Sequence, residues 1–69
     1  MNMVLQSFDV VRGGEVISHY ELFKNGFHNE VRTTTEIIHT GLNAERHYDE
    51  CLEMNREIAS MIGAEVIER

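Results

Sequence analysis

The sequence predicts an α+β domain: a three-stranded antiparallel β-meander followed by one long C-terminal helix packed on one face, in the order β-β-β-α. Two observations carry that reading. Two turn signals, Gly13-Gly14 and Asn25-Gly26, divide the first 40 residues into three runs rich in β-branched and aromatic side chains. From Asn43 onward the apolar residues change from alternation to the three-and-four spacing of a helix.

The strands are expected at about 3–12, 15–24 and 27–40, the last ending at Gly41. Counting outward from the two turns with a period of two sorts the side chains onto two faces. Leu5, Val11, Val16, Tyr20, Leu22, Phe27, Val31 and Ile37 fall on one, taken as the core because it carries fewer charges. The other collects Val4, Phe8, Val10, Ile17, His19, Phe23, Arg32 and Ile38 with Glu21, Glu30 and Glu36. Phe8, Val10, Ile17 and Phe23 make this outer sheet face more apolar than a solvated surface needs, and so a second candidate for partner contact.

The helix is expected at about 43–62. Asn43 is suited to the N-cap, Glu45 and Asp49 lie early where the helix dipole favours anions, and Gly63 sits where a C′ glycine ends a helix. The tail, residues 63–69, is open between a docked short strand and a frayed end. No linker, repeat or proline divides the chain, so residues 1–69 form a single domain.

At this length only about 60% of the unfolded surface is buried on folding, and small domains make up the margin with disulfides, a structural metal or a partner. One cysteine, Cys51, excludes an internal disulfide, and four scattered histidines do not make a zinc site. Oligomerisation remains. The apolar arc of the helix is about half the circumference, wider than one sheet covers. It resolves into two seams: Tyr48, Leu52, Asn55, Ala59 and Ile62, and Cys51, Met54, Ile58 and Met61. One seam is expected on the sheet and the other on the helix of a second copy. The first is assigned to the homodimer interface, because a polar Asn55 at its centre is a device that fixes pairing.

On the far side Glu45, Asp49, Glu53 and Glu57 stand at successive i, i+4 positions. Like charges at this spacing destabilise a helix by a few tenths of a kcal/mol each. Such a run is more often a solvated face kept acidic for solubility. As a binding surface, it imitates a phosphate backbone or meets a basic groove on another protein.

The net charge of −6 disfavours direct nucleic-acid binding, which relies on cations neutralising phosphates. Residues 43–69 carry seven acids and three bases, so −4 of the −6 lies there. A lone thiol fits a reducing, cytoplasmic compartment, and no apolar run approaches the roughly 20 residues that cross a bilayer. His47 and Cys51 stand one helical turn apart, a two-ligand signal too weak to assign a metal. No nucleotide fingerprint or paired-carboxylate motif is present. The expectation is therefore a non-enzymatic, cofactor-free, metal-free protein-binding module with a partner of basic surface. Its size and charge are those of accessory or inhibitory proteins such as phage antagonists of host proteins or nucleic-acid-binding complexes, an analogy only. The alternative is a small-ligand-binding homo-oligomer whose interfacial pocket uses Arg46, His47, Tyr48 and Asn55.

Overall fold

Strands β1 (Asn2–Arg12) and β2 (Glu15–Asn25) form a long hairpin in the computed structural model, which describes all 69 residues. Gly13 and Gly14 close it with φ of 58° and 82°. A two-residue turn of matching twist needs positive φ at both positions, which only glycine adopts without strain. Next come β3 (His28–Thr33), β4 (Ile37–Thr40), α1 (Ala44–Ile62) and β5 (Glu65–Glu68). The sheet order is β4-β3-β2-β1-β5, antiparallel throughout, with α1 on one face.

Five strands replace the expected three for two local reasons. The run 27–40 breaks at its threonines. Thr33 Oγ1 accepts hydrogen bonds from the backbone N–H groups of Thr35 (3.4 Å) and Glu36 (3.2 Å), and the Thr33 N–H donates to Glu36 O at 2.8 Å. A hydroxyl that caps nearby amides competes with the ladder and turns the chain. The tail, in turn, docks as β5, pairing Glu65–Glu68 with Val11–Phe8. The Arg69 N–H extends the pairing to Ser7 O at 2.9 Å.

The face assignment is corrected by two bulges. Ile17 is inserted between the pairs Val10–Ser18 and Val11–Val16, and Leu5 between Val4–Phe23 and Gln6–Leu22. One extra residue reverses every side chain beyond it. Phe8 therefore lies opposite Tyr20, and both Phe8 and Val10 point at the helix, buried, instead of lining the outer face. Tyr20, Leu22 and Val31 lie on the core side as expected, whereas Leu5, Val16, Phe27 and Ile37 are exposed.

The core is Phe8, Val10, Leu22, Val31, Ala44, Tyr48 and Ala59, edged by Tyr20, Leu52, Ala64 and Val66. Helix α1 reaches it through small residues near both ends and one large ring between. Ala44 and Ala59 allow close approach, and Tyr48 meets Phe8 edge-on at 5.7 Å between ring centres. Gly63 ends the helix at φ 69°, its N–H and that of Ala64 both returning to Ala59 O. Gly63→Ala is expected to destabilise the protein by about 1 kcal/mol through the left-handed backbone alone. Urea denaturation should show a lower midpoint with an unchanged slope. No helix is long and apolar enough to cross a membrane.

Candidate functional site

The side of α1 turned away from the sheet is the most charged surface of the molecule. Glu45, Asp49, Glu53 and Glu57 are all exposed and succeed one another about 6 Å apart along the axis. Arg56 forms an ion pair with Glu53 at 3.3 Å and another with Glu68 of β5, and Arg46 pairs with Glu50 at 3.2 Å. Glu45, Asp49 and Glu57 have no basic partner within 4 Å. Three carboxylates on a helix held at both ends to the sheet are thus free to meet cations from outside.

The first apolar seam, expected to meet a second copy, is instead used within the chain. Tyr48 and Ala59 are 2% and 3% exposed, and Leu52 packs on the same cluster. Asn55 turns its amide back on the helix and donates to Cys51 O at 2.8 Å, an i−4 bond that does nothing to specify pairing. Only Ile62, 36% exposed, stays open at the helix end. Of the seam expected at a homodimer interface, Tyr48, Leu52 and Ala59 are therefore taken up by the chain's own sheet, which leaves Asn55 half-buried and Ile62 exposed. The second seam is the free one: Met54, Ile58 and Met61 are 61%, 40% and 76% exposed and run beside the acidic ribbon. The side chain of Met is adaptable and suits a surface that accepts an irregular apolar partner.

Within one chain the residues expected to line an interfacial pocket are not brought together. Arg46 and His47 border a shallow hollow of about 170 Å³ with His39, Asn43 and Glu50, which has no apolar lining. Tyr48 and Asn55 lie on the sheet side of the helix and do not reach it. His47 stacks on His39 of β4 at 4.6 Å between ring centres, nearly parallel. Burial, with the Glu50 charge nearby, pushes the Cys51 thiol up, which works against a thiolate. Burial, then the charges of Glu68 and Asp49, pushes the Tyr48 hydroxyl up to about 12, so it stays neutral at any physiological pH. No three His, Cys, Asp or Glu side chains converge as a metal site requires.

On the open face of the sheet the structure places a linked chain of ions instead of an apolar surface. His19 Nδ1 bonds Asp9 Oδ1 at 2.6 Å, and its Nε2 bonds Glu21 Oε2 at 3.2 Å. Arg69 donates to Asp9 Oδ2 from Nε (3.2 Å) and Nη2 (2.8 Å). Arg32 pairs with Glu21 at 3.1 Å and lies over the Phe23 ring at 3.9 Å. Alternation along β2 and β3 groups His19, Glu21 and Arg32 from sequence. Asp9 and Arg69 escape it, the first because the Ile17 bulge shifts its register, the second because it lies in the tail. With Phe8 and Val10 in the core and Phe23 under Arg32, Ile17 alone of the four residues expected to make that face a contact surface stays bare, 47% exposed, while Val4 is exposed apart from the ion chain, toward the start of β1. A face whose charges already satisfy one another offers little to a partner, which leaves the helix ribbon as the candidate site.

Comparison with protein-family models, curated proteins and solved structures finds no match to this chain.

Proposed function

We propose that this protein is a non-catalytic binding module that engages the basic surface of another protein through the acidic ribbon of α1. The observation that carries the reading is the row Glu45, Asp49, Glu53 and Glu57, exposed along a docked helix, three of them without an ionic partner. A protein gains nothing in stability from such a row, since the like charges repel at i, i+4. Its value lies in attraction at a distance, which raises association rates and selects a complementary partner. Met54, Ile58 and Met61 alongside supply the apolar contact that turns encounter into a complex. Where the partner's basic groove normally holds nucleic acid, occupation by the ribbon excludes it, and the module acts as an accessory or inhibitory protein.

Reversing all four carboxylates to lysine changes the net charge from −6 by four increments of +2, to +2. Immobilised native protein is expected to retain basic proteins from its host and release them as salt rises. For any one of these partners the reversed variant should bind at least about a hundredfold more weakly, near 3 kcal/mol. Its thermal midpoint should stay close to that of the native chain, because the ribbon is exposed throughout. Equal binding by both forms, or binding indifferent to salt, refutes the proposal.

A further inference from the structure

We propose that the uncharged N-terminal half of β1 pairs with the same segment of a second copy about a two-fold axis, joining two five-stranded sheets into one. Strand β5 covers β1 only from Phe8 to Val11, with one further bond at Ser7. From Asn2 to Gln6 the strand has β2 on one side and an open edge on the other. Unpaired backbone N–H and C=O groups along such an edge are a template for another strand, and proteins usually guard them with charge or proline. The other edges here are guarded or short. Strand β5 carries Glu65 and Glu68, the part of β2 beyond the end of β3 carries Glu15 and His19, and β4 is four residues long behind Glu36. Residues 2–6 hold no charged side chain and no proline, and the Leu5 bulge is the one guard the stretch carries.

The same stretch is apolar on both faces of the sheet. Val4 lies opposite Phe23 on the outer face and Met3 opposite Lys24 on the helix side, where α1 does not cover it. Met3, Val4 and Leu5 are 44%, 46% and 42% exposed. A second strand laid against this edge covers side chains above and below the sheet while satisfying the backbone between them.

Charge selects a second copy as the occupant. In a chain of net charge −6, self-association is cheapest where no carboxylates meet. Two copies joined through Met54 and Ile58 would bring the carboxylates of Glu50 and Glu57, which border that seam, into the contact. The β1 edge brings none together, and antiparallel pairing of a strand with itself is self-complementary and closes at two. The Leu5 bulge adds twist, so pairing runs in short lengths on either side of it, which makes the dimer reversible.

Salt separates this proposal from the ribbon reading, on which it does not depend. Partner binding by the ribbon weakens as salt rises, whereas edge pairing between two acidic copies strengthens. In sedimentation equilibrium the native chain is expected to show a monomer–dimer equilibrium that moves toward dimer with concentration and with salt. Leu5→Lys and Val4→Lys should each sediment as monomer, and Ile58→Lys should dimerise as the native chain does. Independently of any variant, amide exchange of residues 2–6 in the native protein should slow on concentration while that of β4 stays constant. A native chain that is monomeric across the series overturns the proposal. So does a dimer that survives Leu5→Lys but not Ile58→Lys, or exchange at residues 2–6 that ignores concentration.

Discussion

Replacing Phe8 with alanine is expected to destabilise the protein by about 3–5 kcal/mol, the largest loss of any single truncation in the core. The ring is fully buried, stacks on Tyr20 at 5.0 Å between centres and meets Tyr48 edge-on, so it joins β1 to β2 and both to α1. Truncating a phenylalanine in such a place costs about 3–5 kcal/mol, part lost transfer energy and part cavity. A chain of this length has a total stability of roughly 3–10 kcal/mol at the usual 0.05–0.15 per residue. One substitution therefore removes a third of the stability or all of it. Val16→Ala is the matching control. Val16 is 56% exposed, and its truncation should cost less than about 0.5 kcal/mol. Urea denaturation of the two variants tests the register itself, because without the Ile17 bulge Phe8 would face solvent and Val16 the core. The reverse order of stabilities would show that β1 and β2 pair without that bulge.

What could be read from the residues, and what could not, turns on that same bulge. Glycines at 13–14, 26 and 63 mark three element ends because positive φ is a local requirement, visible in one or two residues. The span of α1 follows from its periodicity, and the exposure of Glu45, Asp49, Glu53 and Glu57 from the spacing alone. A bulge leaves no such mark. Ile17 and Leu5 are good strand residues in a regular frame or an irregular one, and the choice is made by whether Phe8 and Val10 can bury against Tyr48 and Ala59. That is a tertiary event. The Thr33–Thr35 turn is intermediate: the hydroxyl that makes it is in the sequence, but threonine also favours the strand it interrupts. Burial of the first helical seam within the chain has the same tertiary origin. The sheet is five strands wide because the tail joins it, and a wider sheet covers more of the helix than three strands do.

The ion chain on the open sheet face predicts how stability depends on pH. A neutral imidazole has one N–H and one lone pair, so His19 bonds carboxylates through both nitrogens only as the imidazolium. The bond to Asp9, then that to Glu21, raises the His19 pKa above its ordinary 6.5. Bonds from Arg69 and then His19 hold Asp9 below its ordinary 3.8. Arg32 on β3 faces Glu21 from the other side, and Arg69 closes the chain beside β1. For a group raised on folding, the stabilisation is complete below the unfolded pKa and disappears as pH climbs through the folded one. For a group lowered on folding, it is present above the unfolded pKa and disappears as pH falls through the folded one. Both contributions are therefore whole between about pH 4 and 6.5, and the thermal midpoint should be flat there. Above that window it should decline as His19 loses its proton, and His19→Gln should abolish that decline while lowering the plateau. Asp9→Asn should lower the plateau further, through a stability loss of about 1–3 kcal/mol, because it weakens the tie of β5 to β1 through Arg69 as well as the bond to His19. An alkaline decline that persists undiminished in His19→Gln would mean that the imidazolium does not bridge the two carboxylates in solution.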